Sequence, residues 1–486
     1  MTRRRPVPVN APGLGLALAV CMLAGSMVLA QDGGGMRAVL GITQGFSADS
    51  NRDLVPDRSA RSLVSTTSLT FGLSSETRTQ QFRLESGASM RFFDIRGERR
   101  RVQFSDPEVS ASYRRDGARA GVVLRGRYAR EDLRFLRTLD DLVESVPILD
   151  PDGFPVLDDA GAPVFEDVVV LPDDPADLIG RGTRVLTDLG ARFDFGRDGP
   201  IATTLTADHR ALRYTDGATD PDTTRTSLGL ETRLRLNPVT TGQVLLSYSR
   251  FEAEDAVRLS RDRIGLRLGL ERELSETLQI GVGVGPSRVV TSNRVDGTRD
   301  VRSGIDGDIY ATYGLRNGKI GVRLAAVTDE DGSRRSISLD RSLELPRGSL
   351  SGSVGLSRAA DGEQLTTAQL NYRQVLPRGS FSVQFNRGFG VDARDDTQAF
   401  TGLTAGYEHT INRVSGVGLS ARYLSRNLGD EASLVATYRR ALTPDWNLNL
   451  GYRYDLSERD FSGIGTRRVN NHGLFLNLTT RIDIGL

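Results

Sequence analysis

Cysteine is all but missing from this chain. The single one, Cys21, lies inside an N-terminal apolar stretch, so the remainder has no disulfide and no thiol chemistry. Long hydrophobic runs are missing as well. Beyond the N-terminus no stretch approaches eighteen consecutive apolar residues, which excludes a transmembrane helix. Helical periodicity is almost absent. Lysine occurs once, at Lys319, and every other basic residue is arginine. A GC-rich genome accounts for that bias without any demand from chemistry. Three histidines occur, His209, His409 and His472, and none sits in a Ser-His-Asp arrangement readable from sequence. There is no His-Glu-x-x-His motif and no phosphate-binding glycine loop. The glycines of Gly281–Gly285 fall within a strand pattern with no helix after them, which excludes a dinucleotide fold.

The N-terminus has the layout of a secretory signal peptide. Arg3, Arg4 and Arg5 open it, Leu14 to Leu29 is apolar, and Val28-Leu29-Ala30 supplies the small or modest side chains a signal peptidase needs. The apolar run is about sixteen residues, short of the roughly twenty of a spanning helix. Val20 and the continuing apolar run disfavour lipidation at Cys21. The expected division is therefore a leader at 1–30 and one domain at 31–486.

Lys+Arg is 63 and Asp+Glu is 62; with the three leader arginines removed, 60 basic residues face 62 acids. That balance argues against a nucleic-acid binder.

What the chain does have is alternation with a period of two, in runs of nine to thirteen residues. Ile264, Leu266, Leu268 and Leu270 fall on one face, and Arg263, Gly265, Arg267, Gly269 and Glu271 on the other. Trp446, Leu448, Leu450, Tyr452 and Tyr454 alternate with Asn447, Asn449, Gly451, Arg453 and Asp455. Leu278, Ile280, Val282 and Val284 alternate with Gln279, Gly281, Gly283 and Gly285. Each run predicts a strand with one apolar and one polar face. Ordinary strands average five or six residues, whereas a tilted strand needs about nine to eleven to cross a bilayer. Short turns such as Asn317–Gly318, Pro346–Gly348 and Pro377–Gly379 alternate with longer links at Ala48–Arg61, Asp216–Thr224, Thr291–Arg302 and Ser457–Asn470. Counting on that rule predicts about 22 antiparallel strands, from Arg37–Ser47 to Gly473–Leu486. Alternation slips in Val102–Arg114, Ile201–Tyr214 and Thr397–Thr410. Tyr128, Tyr248, Tyr313, Tyr372, Tyr423, Tyr438 and Tyr452 fall on the apolar faces, as rings at a membrane interface would.

The last run places Leu474, Leu476, Leu478, Thr480, Ile482, Ile484 and Leu486 on one face. It resembles the C-terminal assembly signal of Gram-negative outer-membrane β-barrels, with leucine where that signal ends in an aromatic residue. The resemblance implies an all-β, transmembrane antiparallel barrel in the outer membrane, in contact with lipid and lipopolysaccharide and with the barrel assembly machinery, and with oligomeric state open. The first strand follows the leader closely, so no N-terminal plug domain of the energy-coupled transporters is expected. The function expected on this basis is a porin-like passive channel for polar or anionic solutes or a polysaccharide. A structural or assembly barrel with a closed pore and a barrel hydrolase stay open beside it, with no enzyme activity in the leading reading.

One segment breaks the pattern. Residues 132–182 form a long acidic link between the fifth and sixth strands, with twelve acids from Asp140 to Asp177 and no basic residue between Thr138 and Gly180. The rest of the mature chain is then 60 basic against 50 acidic. General porins fold their third external loop into the lumen, opposite wall arginines. By that resemblance the constriction candidates are Asp150, Asp152, Asp158, Asp159, Glu166 and Asp167. The wall candidates, read from inward parity, are Arg125, Arg127, Arg233, Arg235, Arg263, Arg267, Arg323, Arg373, Arg422 and Arg453. Two similar units, Asp152–Asp159 and Ala160–Asp167, suggest a short hairpin. The carboxylates of Asp150–Gly153 lack the spacing of an EF-hand, so no cofactor is expected beyond calcium as a candidate there.

Overall fold

The computed structural model describes residues 35–52, 54, 61–95, 101–133, 143–147, 165–169, 182–197, 199–216, 221–391, 397–426, 429–461 and 465–485. The expected leader, the plug question ahead of the first strand, and Asp150, Asp152, Asp158 and Asp159 lie outside these residues.

The described chain is strand almost throughout. In order the strands are β1 (Met36–Asp49), β2 (Ser62–Glu76), β3 (Gln80–Ile95), β4 (Arg101–Asp116), β5 (Ala120–Asp132), β6 (Val143–Pro147), β7 (Phe165–Val169) and β8 (Thr183–Phe195). Then come β9 (Ile201–Thr215), β10 (Thr223–Asn237), β11 (Thr240–Ala253), β12 (Leu259–Glu273), β13 (Leu278–Asn293), β14 (Arg299–Leu315), β15 (Gly318–Thr328) and β16 (Ser333–Leu345). The last are β17 (Gly348–Arg358), β18 (Gln364–Leu376), β19 (Gly379–Val391), β20 (Thr397–Asn412), β21 (Ser415–Arg426), β22 (Gly429–Ala441), β23 (Trp446–Phe461) and β24 (Gly465–Gly485).

All but β6 and β7 form one 22-stranded sheet in which each strand pairs antiparallel with its sequence neighbour. β1 pairs with β24, with Leu40 opposite Ile482 and Ile42 opposite Thr480, so the sheet closes and leaves no edge. Cross-strand partners keep one face apolar all the way round. Leu268 stands opposite Val244 and Val284, and Val282 opposite Ile309. These side chains point outward and are exposed, Leu268 at 54% and Ile309 at 58%. By contrast the buried apolar cluster among the described residues is only Val64 against Phe93. A soluble sheet would bury its apolar face; this one offers it to the surroundings over the whole circumference, which only a hydrocarbon phase rewards.

The count of 22 agrees with the sequence. The length asymmetry of the links is weaker than expected. Thr291–Arg302 and Ser457–Asn470 do not form long loops. β13–β14 and β23–β24 run on as hairpins, with ladder bonds from Thr291↔Asp300 and Asp460↔Thr466 onward. Continuing the ladder satisfies backbone groups that a loop would leave to water. The slips in alternation have local causes. In β4 the register to β3 shifts between Gly87 and Ser89, where Asp106 takes φ 51° and Pro107 needs no partner for an N–H it lacks. β9 is an unbroken strand, its outward face weakened to Ala207, His209 and Ala211.

The hairpin expected from the internal echo forms with other partners. β6 and β7 pair Val143 with Val169 and Pro147 with Phe165, so only the second unit, through its Phe165–Asp167 end, takes part. Likeness of two segments is not complementarity, and the strand that pairs with the second unit comes from Val143–Pro147, ahead of the first unit.

Candidate functional site

The polar faces of the strands make the lumen wall. From β3 to β15 that wall is charged, and its arginines pair with acids on nearby strands or on their own strand. Arg125 on β5 bonds Asp208 on β9 at 2.6 Å, and Arg127 bonds Glu108 on β4 at 2.8 Å. Arg210 reaches Asp188 at 3.3 Å. Arg233 bonds Glu231 at 2.7 Å. On β14, Asp308 takes both Arg267 and Arg323, the latter at 3.0 Å, and its own side chain is only 4% exposed. Arg323 also stacks on the Tyr310 ring, which in turn bonds Glu271. Glycines make this lateral packing feasible. A Cβ on Gly190 would collide with Arg125, and one on Gly283 with Arg267. The long side chains therefore lie along the wall over the neighbouring glycine.

From β17 to β19 the wall changes character. Ser349, Ser351, Ser353, Gln369, Asn371, Ser382 and Gln384 carry most of it, hydrogen-bonding groups without charge, beside Arg373 on β18. A second charged cluster lies at the seam: Arg453 on β23 bonds Asp49 on β1 at 3.0 Å and Asp455 at 3.0 Å, and Asn471 bonds both acids.

The outer rim holds a contact of longer reach. The β15–β16 turn, Asp329–Gly332, bends inward. Glu330 takes the Arg263 guanidinium of β12 at 2.8 Å and the Thr397 amide at the start of β20 at 2.5 Å. Its side chain is 8% exposed. Burial would raise its pKa, but its own amide, the Thr397 hydroxyl and amide, and the Arg261 charge outweigh that and hold it below the usual carboxylate range. Asp329 caps the turn, accepting from the amides of Asp331 and Gly332.

Each of the ten wall candidates is on the inner face. Arg125, Arg127, Arg233, Arg263, Arg267, Arg323 and Arg453 form the pairs just given. Arg422 shares that face on β21. Arg235 and Arg373 have no ion pair among the described residues. Of the constriction candidates, Glu166 and Asp167 sit in β7 opposite Val146 and Ser145; the other four lie outside the described residues. The histidines are all on outward faces: His209 bonds Thr226, His409 stacks on Tyr407, and His472 bonds Tyr452 at 2.7 Å. Among the described residues no group of three or more His, Cys, Asp or Glu is placed to hold a metal ion. Sequence reading missed Glu330. The signal available was the acidic turn Asp329-Glu330-Asp331-Gly332, which reads as an ordinary solvated turn until the fold puts it against Arg263.

A closed antiparallel barrel with an apolar outer belt and a charged interior defines a Gram-negative outer-membrane β-barrel. No family model matches the sequence, and no curated protein matches it. The fold matches solved structures. One is the ferric-catecholate import receptor Fiu from E. coli K12, at 10% identity and TM-score 0.54, over 93% of this chain and 82% of that one. Another is the FrpB iron transporter from Neisseria meningitidis, at 9% identity and TM-score 0.57, over 94% and 84%. A third is the siderophore receptor PirA from Acinetobacter baumannii, at 7% identity and TM-score 0.52, over 93% and 81%.

This likeness corrects the expectation of a porin-like passive channel. That expectation rested on the resemblance to outer-membrane barrels and on the expected lack of a plug domain. The solved barrels named above, which this chain resembles in fold, are named as iron and siderophore receptors. The closed structural barrel and the barrel hydrolase fit no better. The partner expectation changes with it. Lipopolysaccharide and the barrel assembly machinery are not what the resembled structures are named for; their names give a ferric catecholate, iron and a siderophore.

Proposed function

We propose that the protein is an outer-membrane uptake receptor for a polar iron chelate. The observation that carries the reading is the match of the whole 22-strand wall, over 93–94% of this chain, to barrels named as iron and siderophore receptors. The interior supports it: the wall arginines offer planar, permanently charged donors along the route of an anionic ligand. No catalytic step belongs to this reading. The protein reaches the membrane as a precursor and matures near Gln31, which a mass of the purified protein checks. The direct test is calorimetric titration of the purified protein with a ferric catecholate, paired with growth of a deletion strain on that chelate as sole iron source. Saturable binding and a growth defect are expected. Neither binding nor a defect would end the reading.

A further inference from the structure

Most charges of the β3–β9 wall are already neutralised by neighbours, and two are not. Arg83 and Glu85 sit two residues apart on the inward face of β3, both exposed, and neither has an ion pair among the described residues. They are not paired with each other. Residues two apart on a strand project side by side about 6.8 Å apart.

These two heads open onto a recess of about 630 Å³ in the lumen wall, within the usual range of about 300–1,000 Å³ for small-molecule sites. Its floor is low because the inward residues there are small: Ser112 pairs with Arg83 and Ser110 with Glu85. Arg125, Arg127 and Arg210 line the recess, each held by an acid. Among the described residues, the recess therefore presents one cation and one anion without an ion pair, side by side, over a floor of hydroxyls.

We propose that this recess is a binding subsite for an α-amino-acid zwitterion, free or carried at the end of a larger ligand. Arg83 takes the carboxylate and Glu85 the ammonium. A simple dianion would meet Glu85, and a simple dication would meet Arg83; only a ligand carrying both charges close together satisfies both heads. The termini of an extended peptide separate by about 3.3–3.6 Å per residue, which soon exceeds what two heads about 6.8 Å apart can clasp. The hydroxyls of Ser110 and Ser112 supply the remaining hydrogen bonds. The proposal uses the uptake reading only to bring a ligand into the lumen.

The test is calorimetry on the purified full-length protein with three matched probes: L-alanine, N-acetyl-L-alanine and L-alaninamide. L-alanine should bind about tenfold or more tightly than either blocked form, since each loses one charged hydrogen-bonding partner. Arg83→Gln should lower L-alanine affinity to that of L-alaninamide, and Glu85→Gln to that of N-acetyl-L-alanine. The exchange Arg83→Glu with Glu85→Arg should restore binding, which a fold defect would not. Equal binding of all three probes, or L-alanine affinity unmoved by both single substitutions, overturns the proposal. Titration with ferric catecholate on the same preparation separates the two readings. A protein that binds the chelate and not L-alanine sinks the subsite alone; one that binds L-alanine and not the chelate sinks the chelate reading alone.

Discussion

Leu268 and Arg267 are neighbours in sequence and face different media. Leu268 lies outward among Val244 and Val284, and Arg267 lies inward on Asp308. Leu268→Arg should cost about 2–4 kcal/mol if it sits near mid-membrane, seen as a lower urea midpoint for loss of the heat-modifiable folded band. Arg267→Leu should cost less, because Arg323 still holds Asp308 at 3.0 Å. Equal damage from the two would contradict the assigned faces. The Asp308 trio adds a second expectation. Removing Arg267 and Arg323 together leaves a carboxylate at 4% exposure without a countercharge. Such a loss costs about 3–5 kcal/mol, so the double substitution should exceed the sum of the singles. A double-mutant cycle on urea midpoints reads that excess directly, and strict additivity would refute the shared role.

At the scale of elements, period-two alternation is what sequence could read, because one residue of slip would turn every apolar side chain inward. That is why the faces of β12, β13 and β23 and the inward parity of all ten arginines follow from the residues alone. Turns and tertiary partners were not legible in the same way. The Asp329–Gly332 turn carries no pattern that announces a partner on β12 and another on β20. In a round 22-stranded wall with about 4.8 Å between strands and a tilt of about 40°, β12 and β20 would stand roughly 40 Å apart. One carboxylate touching both means the rim is drawn inward at this turn. The pKa of Glu330 is held below its ordinary value of 4.5, so its contribution to stability is present above that value and is lost as pH falls through the lower, folded value. Wild type should therefore melt above Glu330→Gln at neutral pH, and the gap should close well below pH 4.5. A gap that persists or widens in acid would mean that the carboxylate charge is not what holds the rim.

For the whole molecule, the decisive pairing is the most distant in sequence. β1 meets β24 through thirteen residue pairs, and Arg37 bonds Asp483 at 2.9 Å across 446 positions. That ion pair is largely exposed, 67% and 62%, and adds little by itself. The backbone ladder matters more. In hydrocarbon an open edge leaves a row of N–H and C=O groups with no partner, at several kcal/mol each. No intermediate set of strands avoids that cost, since any set short of 22 has two bare edges. Closure is thus all-or-none and depends on the last strand made. The apolar face of that strand, Leu474 to Ile484, was readable in the sequence; its partner β1 was not, because alternation names faces and never neighbours. A chain ended after Phe461 keeps 21 wall strands and bares β1 and β23. It should yield no heat-modifiable, protease-resistant barrel, whereas exchanging Arg37 and Asp483 for alanine should leave the barrel intact. A stable barrel from the shortened chain would show that β1 can close on β23, and that the seam is not fixed by β24.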